Sequence, residues 1–342
     1  MAEPVVTLFG GTGFAGRYLV QRLARAGCQI RLALRDPDQA LFLKSAGDVG
    51  QIVPMAADLT RPETLPAVVE GADWVINLAE LMSERRTQTF DAVHVKGAGD
   101  LARAASEAGA SRFIQLSTIG ADASSPSTYA RSKAAGEEAV LSAFPGATIL
   151  RPSAMFGAED RLFNLMAGVA RFSWVLPVFG CPLMPRIKLF KDDELIQIDL
   201  YGDGGTRVQP VYVGDVAGAA MAALEDDASM GKTYELGGPR VYSSKEMMDI
   251  LIEAIGRKRY LSPVPFWLFS YYAWWLELLP APFFSKPLLT RDQVQLMKID
   301  NLVAPNALGL ANLGITPVMA EQVVPGYLER FRPSRLSHLR SV

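Results

Sequence analysis

The run Val5-Val6-Thr7-Leu8-Phe9-Gly10-Gly11-Thr12-Gly13-Phe14-Ala15-Gly16 constrains this chain more than any other segment. Five residues suited to a buried parallel strand empty into closely spaced glycines. From Arg17 to Ala26 the pattern is helical, with Tyr18, Leu19, Leu23 and Ala26 on one face. Strand, glycine turn and helix in that order make a phosphate cradle. The glycines admit a tight turn and close backbone approach, and the helix N-terminus offers free N–H groups and the positive end of its dipole. Gly11 and Gly13 are expected to make the turn, with Gly10, Thr12 and Phe14 beside them, and Gly16 to let helix and strand pack closely. A second strand, 29–34, ends about 20 residues on, which is the spacing of a dinucleotide-binding unit.

The end of that second strand discriminates between cofactors. A carboxylate there suits the ribose 2′-hydroxyl of NAD, and an arginine suits the 2′-phosphate of NADP. The strand ends Ala33-Leu34-Arg35-Asp36, with Arg35 at the tip and Asp36-Pro37 opening the next turn. An arginine is a bidentate phosphate donor and a flat partner for adenine. NADPH is therefore expected over NAD.

Strands alternate with helical stretches through the first half. Strand patterns fall at 52–55, 74–78, 112–116 and 148–150, and helical ones at 93–108 and 134–143. This alternation predicts right-handed βαβ units: an α/β fold with a Rossmann-type doubly wound parallel sheet. Asp58 follows the third strand, where adenine contacts lie in such folds, and Leu78-Ala79 ends the fourth beside the cofactor. After Arg151-Pro152 the regularity loosens and prolines multiply. The expected division is a dinucleotide domain over 1–180, with 208–236 returning to it. A smaller α/β region follows from 181–207 and 237–330, with a basic tail at 331–342.

Composition narrows the function. A net charge of −2 over 342 residues gives no electrostatic case for nucleic acid. Two cysteines, Cys28 and Cys181, cannot form a disulfide framework, and Cys28 reads as a small core residue. Two histidines, His94 and His338, make a metal centre unexpected. The first strand follows Met1-Ala2-Glu3-Pro4 directly, so no signal or transit peptide is expected.

The residues with chemical potential are Ser117-Thr118, after the fifth strand, and Tyr129 and Lys133 in Tyr129-Ala130-Arg131-Ser132-Lys133. Four residues apart on a helix, Tyr129 and Lys133 share a face. An ammonium nearby lowers a phenol pKa and makes it a usable acid or base toward a carbonyl or alcohol. The hydroxyl of Ser117 or Thr118 would hold the substrate oxygen, and Lys133 would reach the nicotinamide ribose.

With these motifs the chain resembles the extended, atypical branch of the short-chain dehydrogenase/reductase superfamily. The runs 150–157 (Leu-Arg-Pro-Ser-Ala-Met-Phe-Gly) and 209–217 (Gln-Pro-Val-Tyr-Val-Gly-Asp-Val-Ala) agree with it, the first carrying Pro152 and Ser153 beside the cofactor. More specifically, Phe156-Gly157-Ala158-Glu159-Asp160-Arg161 and Leu289-Thr290-Arg291-Asp292-Gln293-Val294 resemble the family of 39-kDa accessory subunits of respiratory complex I, over about residues 5–318. The resemblance implies a tightly held NADPH in a structural or regulatory subunit, with other complex I subunits as partners. It also implies a peripheral position on the cytoplasmic face of a bacterial inner membrane, equivalent to the mitochondrial matrix side. Carried over by position, Gly10, Gly13 and Gly16 form the phosphate turn, Arg35 meets the 2′-phosphate, and Tyr129 and Lys133 face the nicotinamide. Two departures stand out. The connection 182–206 is long and carries Lys191-Asp192-Asp193-Glu194, read as a solvated hairpin, and Ser117-Thr118 is more like an active dehydrogenase. A catalytically active NADP-dependent reductase or epimerase is thus the alternative.

Residues 264–284 are rich in tryptophan and tyrosine. Glu277 and prolines at 265, 280 and 282 argue against a membrane span. A helix of about 13 residues over 266–279 is expected, suited to a membrane interface or a partner's groove. Arg257-Lys258-Arg259 and the tail arginines 330, 332, 335 and 340 add charge for an anionic surface.

Overall fold

The computed structural model describes residues 3–84, 87–181, 186–191, 194–199, 201–278 and 290–333. It comprises two compact units: 1–153 with 213–237 and 303–317, and 154–212 with 238–302 and 318–342.

The first unit is built on seven strands: β1 (Val5–Phe9), β2 (Gln29–Leu34), β3 (Ile52–Ala56), β4 (Trp74–Asn77), β5 (Arg112–Leu116), β6 (Thr148–Pro152) and β7 (Thr233–Leu236). They pair in the order β7-β6-β5-β4-β1-β2-β3, every pair parallel. A parallel strand needs cover on both faces, which explains the near-continuous apolar runs in β1 and β4. Helices α1 (Phe14–Arg25), α2 (Leu65–Val69), α3 (Ala98–Glu107), α4 (Thr128–Ala143) and α5 (Val213–Glu225) supply it. Helix α1 packs on α5, where Arg22 donates to the Gly214 carbonyl at 2.9 Å, and α3 packs on α2 and α4. Phe9, Leu65, Val75, Leu101, Phe113, Val140 and Ile149 fill the core beneath α2 to α4. Cys28 is buried as expected, and burial raises its thiol pKa.

Two helices begin earlier than periodicity indicated. Helix α1 starts at Phe14, directly on the glycine turn, and α4 at Thr128, because the Ser127 hydroxyl accepts from the Ala130 N–H and caps it. The helix expected from 93 is split: Asp91–Gly97 winds as a π-helix before α3 begins. Such wide turns are costly and cluster at functional sites.

The second unit packs Leu162–Val169, Ser244–Ile255 and Ala320–Leu328 with the parallel pair Val175–Phe179 and Tyr260–Val264 around Phe163, Leu176, Leu251 and Val324. The two most distinctive sequence runs have structural roles here. The Asp160 carboxylate accepts from the Phe163 N–H at 2.7 Å and from the Tyr327 hydroxyl. Thr290 and Gln293 form a reciprocal capping box at the start of Arg291–Met297. Arg186–Lys191 pairs antiparallel with Glu194–Asp199 as the expected hairpin. The aromatic segment forms the helix Phe266–Leu278, with Trp267, Tyr271, Tyr272, Trp274 and Trp275 exposed and Ala273 buried. Residues 279–289 and 334–342, including Arg335 and Arg340, lie outside the described residues.

One buried ion cluster ties the sheet to α4. Arg151 on β6 makes a two-pronged contact with Glu137 (2.9 and 2.5 Å), with Glu235 of β7 at 3.6 Å. Arg151→Leu strands a buried carboxylate and should cost about 3–5 kcal/mol. The double variant Arg151→Leu/Glu137→Leu should recover most of that loss in chemical denaturation. Equal losses in the two variants would contradict the assignment.

Candidate dinucleotide site

The strand order reverses between β1 and β4, and α/β sheets bind ligands at the carboxyl ends flanking such a switch point. Gly10 leaves β1 there with φ +78°, and a Cβ on it would stand 2.6 Å from the carbonyl carbon and oxygen of Leu78, the residue after β4. The tight turn thus falls at Gly10, and this corrects the expectation for Gly11, whose nearest neighbour is the flexible side chain of Leu32. The Gly13 N–H closes the turn on the Gly10 carbonyl at 3.0 Å. A Cβ on Gly16 would collide with the Gly10 and Gly11 carbonyls, so α1 can seat against the loop only with glycine there. Gly13 is the N-cap of α1, no side chain caps that end, and its first turn holds no acid. Backbone donors and the helix dipole are left facing the carboxyl end of the sheet, as a pyrophosphate requires.

Around this turn, Arg35 is exposed at the end of β2 and has no hydrogen-bond or ion-pair partner among the described residues. Asp58 lies one strand further out. Its carboxylate accepts from the Thr60 N–H and hydroxyl, both at 2.9 Å, which is a structural turn. The Phe14 ring meets Tyr18 edge-on, and the Thr12 carbonyl accepts from Arg17 Nε at 3.0 Å. Arg17, whose guanidinium lies 5.0 Å from the Phe42 ring centroid, is a cation at the glycine turn that the motif reading passed over. Its signal was present: an arginine directly after Gly16, the last glycine of the run.

On the other side of the switch point, the Ser117 N–H donates to Leu150 and the Ile119 N–H to Pro152, while the Ser153 N–H donates to Leu236. Ser117 is 2% exposed, and its Oγ is a buried polar atom without a hydrogen-bond partner among the described residues. The Thr118 hydroxyl donates to the Ile119 carbonyl at 3.2 Å.

The chemistry at Tyr129 differs from the sequence expectation. Its hydroxyl donates to Glu80 Oε1, in the loop after β4, and Lys133 Nζ sits 3.8 Å from the same oxygen while donating to the Leu116 carbonyl at 3.1 Å. Burial, reinforced by the Glu80 charge and hydrogen bond, pushes the phenol pKa well above its ordinary value. The expected lowering by Lys133 is overridden, because ionising Tyr129 would set a buried phenolate beside the Glu80 carboxylate. Glu80 was missed because it belongs to no periodic element.

His94, on the π-helix, holds this arrangement in place. Ser132 spends its hydroxyl proton on the Tyr129 carbonyl (2.7 Å), so His94 Nδ1 is the donor to Ser132 at 2.9 Å. Nε2 then accepts from the Leu81 N–H at 3.1 Å, pinning the residue next to Glu80. Burial, with the Lys133 charge, pulls the His94 pKa down to about 3. Among the described residues no His, Cys, Asp and Glu cluster could hold a metal.

The NAD dependent epimerase/dehydratase family model matches residues 6–237. The NADH dehydrogenase (ubiquinone) 1 alpha subcomplex subunit 9 of Arabidopsis thaliana mitochondria is 40% identical over 320 residues, 92% of this chain and 74% of the relative. The chain belongs to the NAD dependent epimerase/dehydratase family, in its complex I subunit-9 group. The mitochondrial protein of the same name from Mus musculus is 34% identical over 333 residues, covering 97% and 81% of the two chains. Among solved structures, an NADPH-dependent quinone oxidoreductase of Escherichia coli, crystallised with NADPH, superposes with a TM-score of 0.66 at 18% identity, over 98% of this chain and all of the other. At that identity the likeness is one of fold.

The neutral histidine makes stability depend on pH. A folded value near 3 lies below the unfolded value of 6.5, so between them the unfolded chain binds more protons. The His94 contribution is complete above pH 6.5 and is lost as pH falls toward 3. In denaturation series this amounts to on the order of 3 kcal/mol by about pH 4. His94→Gln should show a shallower slope in that window, and an unchanged slope would contradict the buried neutral histidine.

Proposed function

We propose that this chain is a peripheral accessory subunit of a respiratory NADH:quinone oxidoreductase and holds NADPH as a structural brace. The observation that carries the reading is the commitment of the Tyr129 hydroxyl to Glu80, within a chain related to complex I subunits over nearly its whole length. Gly10, Gly11, Thr12, Gly13, Phe14 and Gly16 would cradle the pyrophosphate, with α1's N-terminus behind it. Arg35 would pair with the 2′-phosphate and Arg17 would stand beside it. Asp58 would border the adenine. Leu78, Ala79, Pro152 and Ser153 would line the nicotinamide end, where Lys133 would reach the ribose. When bound, this cofactor can supply a hydride. Ser117, Thr118, Tyr129 and Lys133 are the remnant of a carbonyl-reducing set in which the proton donor is turned toward Glu80.

A ligand that binds only the folded chain stabilises it by about 2.7 kcal/mol at a hundred times its Kd, which is how a cofactor acts as a brace. Docking falls to the second unit, where the exposed rings of Phe266–Leu278 meet partner subunits or the membrane surface. No described helix is long and apolar enough to cross a membrane. By its relationship to mitochondrial complex I subunits, the proposed placement is peripheral, on the cytoplasmic or matrix-equivalent face.

Three measurements test this reading. Arg35→Ala removes a charge-assisted contact, so NADPH affinity should fall by about 1.5–3 kcal/mol while NADH is nearly unchanged in calorimetry. Equal losses would remove the 2′-phosphate assignment. Glu80→Gln should lower the Tyr129 phenol pKa part of the way in an ultraviolet difference titration, since the opposing charge is gone while burial remains. The unaltered protein should leave NADPH unconsumed against aldehydes and ketones. Consumption that vanishes in Tyr129→Phe would establish the enzymatic alternative.

A further inference from the structure

The second unit carries a cationic, aromatic edge distinct from the helix Phe266–Leu278. The turn after the helix Leu162–Val169 reads Arg171-Phe172-Ser173-Trp174, and it lies against Arg257-Lys258-Arg259-Tyr260 at the start of the neighbouring strand. Phe172 is 86% exposed, Trp174 70% and Tyr260 76%. These rings are held out by an ordered backbone. The Phe172 and Ser173 N–H groups donate to the Val169 carbonyl at 3.0 and 2.8 Å, and the Tyr260 N–H to the Trp174 carbonyl at 2.9 Å.

Three guanidinium groups gather behind the rings. Arg259 donates through Nε to the Ala170 carbonyl at 2.8 Å and lies 4.9 Å from the Trp174 centroid. Arg171 lies 5.9 Å from the Phe172 centroid, and Arg257 donates through Nε to the Phe331 carbonyl at 3.0 Å. Burial, then repulsion from Arg259 and Arg171, lowers the Arg257 pKa, so the three charges feel one another. Among the described residues none of Arg171, Arg257, Lys258 or Arg259 has a carboxylate partner. Collecting like charges without counter-ions costs stability unless an external anion supplies the balance.

We propose that this edge is a docking site for the phosphates of an anionic phospholipid surface. Phe172, Trp174 and Tyr260 enter the headgroup layer, and Arg171, Arg257 and Arg259 pair with phosphate oxygens. Rings this exposed project outward and fit a soft interface, whereas a protein hot spot seats its aromatics in a closed pocket. Aromatic tips backed by arginines are how peripheral proteins combine apolar insertion with charge attraction. The proposal rests on the peripheral-membrane part of the reading above and supplies it with a lipid class and a second contact.

The test is sedimentation of the full-length purified chain with vesicles of phosphatidylcholine alone and of phosphatidylcholine mixed with phosphatidylglycerol. The unaltered chain should partition to the anionic vesicles, less so in high salt. Arg171→Gln/Arg257→Gln/Arg259→Gln should weaken that partition about a hundredfold, since each basic side chain contributes roughly fivefold. Lysine at the three positions should restore most of it, which separates lost charge from lost folding. Trp274→Ser/Trp275→Ser, in the other aromatic segment, should keep the dependence on anionic lipid. Undiminished partition of the glutamine variant would overturn the site. Loss in the Trp274/Trp275 variant alone would leave the peripheral reading standing without it. Full displacement by millimolar inorganic phosphate, or retention by an acidic protein with no affinity for vesicles, would also overturn the lipid assignment.

Discussion

At Gly10 the chain leaves β1 with a positive φ and passes so close to the backbone of Leu78 that no side chain could stand between them. That approach sets the positions of everything else in the first unit. It joins the ends of β1 and β4 at the switch point of the sheet, and with Gly16 it lets α1 begin on the turn itself. It also sends the chain from Leu78 into Ala79 and Glu80 beside the expected nicotinamide end. A methyl group at Gly10 would push the turn off the Leu78 backbone, and one at Gly16 would push α1 away from the loop. The same contact delivers the carboxylate that occupies Tyr129.

The second constraint is electrostatic. A buried phenol, an ammonium and a carboxylate share one pocket, and the carboxylate prevails over the ammonium in its effect on the phenol. Lys133 balances Glu80, so the set is neutral as a group with Tyr129 protonated. Burial makes that state the favourable one, because any further ionisation would go unsolvated. His94, uncharged and bonded through both ring nitrogens, keeps the Leu81 backbone where Glu80 needs it. The geometry fits the proposed role of a bound dinucleotide that stabilises rather than reacts.

Much of this fold was legible in the amino-acid order. Buried parallel strands declare themselves as apolar runs and glycines declare a tight turn, so six of the seven strands and the glycine loop could be read directly, whereas the strand Thr233–Leu236 and the choice of Gly10 for the turn could not. Helix starts were harder, because a cap such as Ser127 acts over a single hydrogen bond that periodicity does not register. The state of Tyr129 was not legible at all. It depends on Glu80, 49 positions earlier, in a loop whose course is set by tertiary packing. The grouping of Arg171 with Arg257 and Arg259 is of the same kind, since only the strand pairing brings those segments together. Conversely, Asp160 and the Thr290–Gln293 pair, distinctive in sequence, serve helix capping and packing.

A nucleotide that braces this subunit should be a resident part of an assembled respiratory complex. The most direct measurement is to isolate that complex from native membranes through a tag on this chain and to quantify the NADP(H) released on denaturation. Sampling should be done before and after sustained NADH oxidation. The chain should be recovered with other complex I subunits, with one NADP(H) per copy whose redox state does not follow turnover. Recovery of the chain apart from those subunits, or a nucleotide that is absent or oxidised in step with turnover, would contradict it.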